Sequence, residues 1–301
     1  RIIVINEAQR VSEIGLTLKR ITDNFTNVQL LVTGSSSFEL QSNLSEPLTG
    51  RKYEYHLYPI STAELYDSQG LLPVKQMFES RLIYGSYPDI INHTDEAKEL
   101  LMNIANSYLY KDLLAMNEIR RPILLEKLLI ALALQVGSEV SYNEVAQTIG
   151  TDNKTVEKYI DLLEKCYVIF RLNAFNRNLR TELKKSKKIY FYDNGIRNAV
   201  IQNFAPLSLR QDTGALWENF FISERIKANH YNGNYAKSFF WRTTQQQEID
   251  YIEEADGNFT AFEMKWNPNK RQITFPSPFL NNYPVKETVV ITPENYLEWV
   301  M

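Results

Sequence analysis

Two runs of strand-like sequence flank the dipeptide Asp256-Gly257 in the carboxyl-terminal part of the chain. Asp-Gly between such runs is a strong signal for a two-residue β-hairpin turn, because both positions of that turn require positive φ. The sequence therefore predicts two antiparallel strands over residues 248–253 and 258–265.

This turn also fixes which side chains face one another across the hairpin. A two-residue turn at 256–257 places Asp250 directly opposite Glu263, with Lys265 on the same face as Glu263. Directly opposed side chains have Cβ atoms about 4.5–5.5 Å apart, so two carboxylates there repel unless a cation or proton lies between them. Hard cations prefer oxygen ligands, and we therefore predict Mg²⁺ or Mn²⁺ at Asp250 and Glu263. A shift of one residue in register would separate the pair.

The amino-terminal region has the pattern of an α/β unit. A β-branched run at residues 2–5 precedes Asn6 and Glu7, and a second apolar run at residues 28–33 leads into hydroxyl side chains that include Thr33 and Ser35. Such runs are typical of fully buried strands in a parallel sheet. We expect residues 1–58 to continue a fold that begins upstream of Arg1.

Length and composition restrict the class of protein. With 301 residues and a net charge of −3, the chain predicts several domains and excludes a surface that is basic all round. One cysteine and three dispersed histidines leave little material for a thiolate or histidine metal cage, and the cysteine count favours a reducing, cytoplasmic location. The longest apolar stretch, residues 123–136, contains Glu126 and Lys127 and is too short for a membrane span of roughly 20 residues.

The fold class predicted from these patterns is multidomain α/β. Residues 1–58 form the α/β unit, residues 59–121 are helical, residues 122–200 form a third unit, and residues 201–301 contain the hairpin.

The third unit has the pattern of a winged helix-turn-helix. A helix begins after Ser141 and ends at Gly150, a second spans residues 153–165, and two strands follow at 167–173 and 188–192. In winged helices the second helix enters the DNA major groove. Lys154 and Lys158 lie on its outward face, but neighbouring acidic residues leave that face nearly neutral.

The loop between the two strands is strongly basic and is our candidate for contact with DNA phosphates. Its basic residues are Arg177, Arg180, Lys184, Lys185, Lys187 and Lys188, against one acidic residue, Glu182. This charge density suits phosphate contacts that do not read the bases. The alternative is that the winged helix packs between its neighbours and the loop is merely solvated.

The order of motifs along the chain resembles prokaryotic AAA-superfamily (P-loop) ATPases in which a nucleotide-binding core is fused to a winged helix and a nuclease-like domain. The matching segments are Ile5-Asn6-Glu7-Ala8-Gln9-Arg10, Leu31-Val32-Thr33-Gly34-Ser35-Ser36, Leu48-Thr49-Gly50-Arg51, Tyr84-Gly85-Ser86-Tyr87-Pro88, Tyr192-Asp193-Asn194-Gly195-Ile196-Arg197 and Trp217-Glu218-Asn219. The resemblance implies a helical lid over residues 59–121. It also implies nucleotide-site roles: Asn6 and Glu7 near Mg²⁺ and the attacking water, Thr33 and Ser35 beside the γ-phosphate, and Arg51 at the developing phosphate charge.

Two departures weaken the nucleotide site. None of the 11 glycines is followed by lysine, so the phosphate-binding Gly-x-x-x-x-Gly-Lys-Ser/Thr loop (Walker A) is absent from this truncated core. Asn6 also stands where the family usually has Asp, which removes a charge from the Mg²⁺ site. We expect ATP and Mg²⁺ to bind only in a longer form that carries the loop; the alternative is that residues 1–58 serve as a scaffold.

The hairpin resembles the core of the PD-(D/E)xK nuclease fold, Asp-(x)12-Glu-x-Lys. By this resemblance Asp250 and Glu263 hold the metal, and Glu218, on a helix that begins near residue 213, assists. Lys265 positions or deprotonates the attacking water, or neutralises the pentacovalent phosphate.

Two hypotheses about function follow, and the sequence leaves open whether the chain is an enzyme. The first is a fragment of an AAA-type ATPase that binds DNA and carries a metal-dependent nuclease site. The alternative is a non-catalytic regulatory or scaffold protein, in which Lys265 neutralises the carboxylates and the winged-helix and nuclease-like domains mediate protein contacts.

Overall fold

The computed structural model describes residues 1–8, 11, 13–34, 50–107, 121–175, 187–267 and 274–301. The elements, in chain order, are β1 Ile2–Ile5, α1 Ile14–Asn24, β2 Gln29–Val32, α2 Thr62–Gln69, α3 Leu71–Gln76, α4 Phe78–Tyr84, α5 Pro88–Asn92, α6 Ala97–Ile104, α7 Pro122–Leu134, β3 Glu139–Val140, α8 Tyr142–Ile149, α9 Asn153–Lys165, β4 Ile169–Ala174, β5 Lys187–Phe191, α10 Asn194–Val200, α11 Thr213–Tyr231, β6 Lys237–Arg242, β7 Glu248–Ala255, β8 Asn258–Met264, α12 Ser277–Asn282, β9 Val285–Ile291 and α13 Leu297–Val300.

The amino-terminal unit is a parallel pair of strands with one helix. β1 and β2 align with Ile5 opposite Val32, and α1 buries Ile14 and Leu18 against them. The prediction of a fully buried first strand is wrong: Ile2 is 69% exposed and Val4 60% exposed. Within the described residues β1 pairs with β2 alone, so most of its apolar side chains remain in contact with solvent.

The largest element is a mixed seven-stranded sheet in the order β3-β5-β4-β6-β7-β8-β9. β4 pairs parallel with β6 through Asn173 opposite Phe239 and Ala174 opposite Phe240. Strands from both sides of the predicted boundary at residue 200 therefore belong to one sheet. The main apolar core extends along it from Leu82 to Val300, and a separate apolar cluster joins Trp241 and Phe279 against β7 and β8. The mixed α/β class is confirmed.

The helix pair of the third unit forms where the sequence predicts it. The Ser141 hydroxyl accepts a hydrogen bond from Glu144 N at 3.4 Å at the start of α8, and Gly150 ends that helix with φ of 77°. Apolar side chains at helical spacing on α9 are buried; they include Val156, Tyr159, Ile160 and Leu163. DNA binding by these helices stays a prediction.

The hairpin has the predicted register. Ala255 pairs with Asn258 and Tyr251 with Phe262, and the turn residues Asp256 and Gly257 have φ of 51° and 78°. Continuing this register by one residue brings Asp250 level with Glu263, as the local turn chemistry predicts.

No helix in the described ranges is both long enough and apolar enough to cross a lipid bilayer.

The start of α2 offers a test of local helix stability. The Ser61 hydroxyl accepts a hydrogen bond from Glu64 N at 3.2 Å, and the Glu64 carboxylate accepts one from Ser61 N at 2.9 Å. Because this reciprocal pair satisfies two helix-end donors, Ser61→Ala is expected to lower the free energy of unfolding by about 1 kcal/mol. Urea denaturation measures the change. Ser68→Ala, at an exposed position in the last turn of the same helix, is the control, and equal losses in both variants would contradict the capping role.

Candidate active site

The four predicted catalytic side chains converge from three elements. Asp250 lies on β7, Glu263 near the end of β8, Lys265 directly after β8 and Glu218 on α11. Lys265 Nζ is 2.8 Å from Glu263 Oε2 and 3.7 Å from Asp250 Oδ2. The backbone N–H of Met264 donates to Asp250 Oδ2 at 3.0 Å, which orients that carboxylate. The hairpin register thus brings two carboxylates and one ammonium group together.

A second group of side chains extends this site toward β5. Glu218 Oε1 accepts a hydrogen bond from Tyr190 Oη at 2.6 Å and lies 3.3 Å from Lys188 Nζ. Lys188 Nζ is also 2.5 Å from Glu248 Oε1. Neither Tyr190 nor Glu248 is among the catalytic residues predicted from the sequence. The pairing of Lys188 with Glu218 and Glu248 was not predicted either.

The structure corrects the predicted position of Lys188. Its side chain is 2% exposed, so it cannot contact DNA phosphates from a solvated loop. The reason is that β5 already begins at Lys187, and the two-residue period of a strand directs Lys188 and Tyr190 to the same side, toward Glu218. The alternation of Lys188 and Tyr190 in this strand is the sequence signal that could have predicted a buried, inward-facing lysine.

The other predicted DNA-binding residues are distributed differently. Lys154 and Lys158 lie on the exposed side of α9. Lys187 is half-buried, with Nζ 5.3 Å from the centre of the Tyr142 ring. Arg177, Arg180, Lys184 and Lys185 lie outside the described residues.

Carboxylates outnumber cations in this site. Arg242 Nη1 adds a link, lying 3.1 Å from Glu139 Oε1 and 3.5 Å from Glu248 Oε2. The carboxylates are Glu139, Glu218, Glu248, Asp250 and Glu263, and the cations are Lys188, Arg242 and Lys265. The fully ionised cluster therefore carries excess negative charge, which favours binding of a further cation.

Two carboxyl groups in the cluster have strongly shifted pKa values. Burial raises the pKa of Glu218 to about 7, with Lys188 opposing and Asp250 adding to the shift. Burial and then the neighbouring Asp250 raise the pKa of Glu263 to about 7, against the effect of Lys265. For Lys188, burial disfavours the charged form, but Glu218, Asp250 and Glu248 outweigh it and raise its pKa. Carboxyl groups shifted toward neutrality are typical of sites that transfer protons or bind cations.

The donor set at Asp250 and Glu263 fits a hard divalent cation. Both groups offer carboxylate oxygens, and the influence of Asp250 on the Glu263 pKa reflects the repulsion that a bridging cation would relieve. Within the described part of the chain, no group of three or more His, Cys, Asp or Glu side chains is arranged to hold a metal ion. Protein ligands from this pair would therefore leave most coordination positions to water or substrate.

The predicted nucleotide-site residues lie at the amino-terminal strand pair. Thr33 Oγ1 donates to Asn6 Oδ1 at 2.5 Å, so the ends of β1 and β2 do meet, and Glu7 follows with φ of 53°. Arg51 Nε instead lies 3.0 Å from Asp23 Oδ1 near the end of α1. Ser35 lies outside the described residues.

Three of the motif segments from the middle of the chain meet in a buried polar contact. Asp193 caps α10 by accepting from Ile196 N at 3.1 Å, and its other oxygen accepts from Ser86 N at 2.7 Å. The Asn219 amide donates to Asn194 Oδ1 at 2.6 Å. These residues join α4, α10 and α11, so their role in the structure is to hold these elements together.

Family models match separate parts of the chain. An AAA domain matches residues 1–66, and two domains of unknown function, DUF8612 and DUF4143, match residues 75–207 and 213–299. The AAA match and the carboxyl-terminal match support an AAA-like ATPase family.

Three relatives among curated proteins each bear the name uncharacterized protein. One from Haemophilus influenzae is 28% identical over 186 residues, covering 58% of this chain and 46% of that protein. One from Mycobacterium tuberculosis, Rv2008c, is 24% identical over 319 aligned positions, covering 98% and 69%. One from Methanocaldococcus jannaschii, MJ1544, is 23% identical over 266, covering 82% and 57%. The chain thus spans 46% to 69% of the length of these relatives. No solved structure matches it.

Proposed function

We propose that this chain combines part of an AAA-type ATPase with a site that hydrolyses DNA phosphodiester bonds using Mg²⁺ or Mn²⁺. The observation that carries the proposal is the convergence of Asp250, Glu263 and Lys265 on one face of the hairpin, with Glu218 facing them from α11. Metal-assisted phosphodiester hydrolysis requires two carboxylates that can hold a cation and an ammonium group beside them. This cluster supplies both, and its excess negative charge favours the cation.

Each residue has a role that follows from its surroundings. Asp250 and Glu263 would hold the cation, which when bound supplies Lewis-acid activation of the phosphate and of a water molecule. Lys265, 38% exposed, can reach the substrate and orient the water or neutralise the phosphate. Glu218, with a pKa near 7, can accept or return a proton at neutral pH.

The remaining parts of the proposal concern DNA and ATP. Lys154 and Lys158 on the exposed side of α9, and the basic residues up to Lys187, are candidates for DNA phosphate contacts. At the amino terminus, the contact between Asn6 and Thr33 supports binding of Mg²⁺ and a nucleotide where β1 and β2 end. ATP binding would still require a phosphate loop, which this sequence lacks.

One observation favours a second, non-catalytic function. Lys188 and Lys265 already form ion pairs with Glu218, Glu248 and Glu263, so the network can neutralise much of its own charge. In that case the carboxyl-terminal part would mediate protein contacts.

Incubation with plasmid and single-stranded DNA in Mn²⁺ separates the two functions. We expect wild-type protein to cleave DNA, and Glu263→Gln and Lys265→Met to show no cleavage above background, because each removes a group that acts on the reacting phosphate or its metal. Glu287→Gln, an exposed change on the adjacent strand β9, is the matched control and should cleave like wild type. Equal inactivity of wild type and Glu263→Gln would favour the non-catalytic function.

A further inference from the structure

Lys188 is a buried cation that reaches the carboxylate site from outside the hairpin. It lies on β5, and its Nζ contacts Glu248 Oε1 at 2.5 Å and Glu218 Oε1 at 3.3 Å. The ammonium group also lies 5.4 Å from the centre of the Phe240 ring on β6. The lysine on β5 thus contacts acidic groups of β7 and α11 and lies beside an aromatic ring of β6.

Such a buried ammonium group is stable only with fixed anionic partners, and its partners here belong to the proposed site. An unpaired buried charge is strongly destabilising, so Lys188, Glu218 and Glu248 are held together as a unit. Arg242 contributes a further positive charge 3.5 Å from Glu248 Oε2. A divalent cation at Glu218 and Glu248 would have to displace Lys188.

Two-metal phosphodiesterases place a second cation about 3.5–4 Å from the first. In this chain a lysine lies between Glu218 and Glu248, two carboxylates of the same cluster. We propose that Lys188 is the built-in second cation of the site: it neutralises Glu218 and Glu248 and restricts the site to one divalent cation, at Asp250 and Glu263. This inference rests on the proposed function. Lys188 acts through the two glutamates and is therefore a positioning residue.

Counting bound Mn²⁺ by titration calorimetry on the full chain tests the inference. Wild type is expected to bind one Mn²⁺ per chain, and Lys188→Met two, because Glu218 and Glu248 then lack their ammonium partner. Adding Glu218→Gln to Lys188→Met should abolish the second site and retain the first. Lys237→Met changes an exposed lysine at the start of β6 and should still bind one.

The outcomes distinguish this inference from the proposed function. If folded Lys188→Met binds a single Mn²⁺ with wild-type affinity, or if wild type already binds two, the role of Lys188 is overturned while the metal site stands. Absence of Mn²⁺ binding in wild type would overturn both. If Lys188→Met is unfolded in metal-free buffer, Mn²⁺ should restore the wild-type circular dichroism spectrum, since it replaces the lost charge; failure to do so overturns the inference.

Discussion

Replacement of Gly195 by alanine is expected to destabilise the folded chain by about 3 kcal/mol or more. A Cβ atom at this position would lie 2.1 Å from the Tyr84 carbonyl oxygen and 2.9 Å from Asp193 Oδ1. The first neighbour is backbone at the end of α4, so it cannot move aside without shifting that helix. The contact holds α10 against α4, and its loss would loosen the hydrogen bonds of Asp193 to Ser86 and Ile196.

Urea denaturation at neutral pH measures this loss, and the chain offers a matched control. Gly214, in the first turn of α11, has open space around its Cβ position and no positive φ. Gly214→Ala should therefore leave stability unchanged or raise it by up to about 1 kcal/mol, since alanine is the better helix former. Similar denaturation midpoints for Gly195→Ala and wild type would show that the close approach of α4 and α10 is not as tight as described.

Replacement of Glu224 by glutamine is expected to cost about 3–5 kcal/mol of unfolding free energy. The Glu224 carboxylate is fully buried on α11 and lies 2.8 Å from Lys227 Nζ and 3.4 Å from Arg81 Nη2. It also accepts a hydrogen bond from Thr62 N at 2.5 Å. Removing its charge leaves two buried cations short of a partner and weakens the contact between α2 and α11.

The same carboxyl group should make stability depend on pH. Burial alone would raise its pKa, but Lys227, Arg81 and the hydrogen bonds outweigh burial and lower the pKa of Glu224 to about 2 from an ordinary value of 4.5. A depressed pKa in the folded state contributes stability above the unfolded value, and that contribution is lost as the pH falls from 4.5 toward 2. The shift corresponds to roughly 3 kcal/mol.

Unfolding free energies measured from pH 7 to pH 2 check this prediction. Wild-type stability should fall steeply below pH 4.5, whereas that of Glu224→Gln should start lower and fall less. Glu157→Gln, an exposed change on α9, should follow the wild-type curve. Parallel curves for wild type and Glu224→Gln would argue against a depressed pKa at this position.

The features that local chemistry determines were predictable from the sequence. Asp256-Gly257 sets the hairpin register within a few residues of chain, and the 3.6-residue period of α9 identifies its buried side. The convergence of Asp250, Glu263 and Lys265 depends on that same short-range geometry. Glu218 required the family resemblance, because no local pattern relates α11 to the hairpin.

Features that depend on distant partners were not predictable in the same way. The β-branched run at Ile2–Ile5 does form a strand, but its burial depends on neighbours that its own residues do not specify. Lys188 follows a run of basic residues, so its local sequence predicts a solvated side chain. It is buried because β5 belongs to a sheet that includes strands far along the chain. The carboxylates that hold it, Glu218 and Glu248, are 30 and 60 positions away in the sequence.

The pairing of β4 with β6 has a practical consequence for work with fragments. A fragment starting at residue 201 would leave β6, with Phe239, Phe240 and Trp241, as a sheet edge with unpaired backbone donors and acceptors at its centre. Exposed apolar edges pair readily with strands of other molecules. Such a fragment would be prone to self-association, and a low yield of soluble material from it would reflect the open edge rather than a defect in the hairpin.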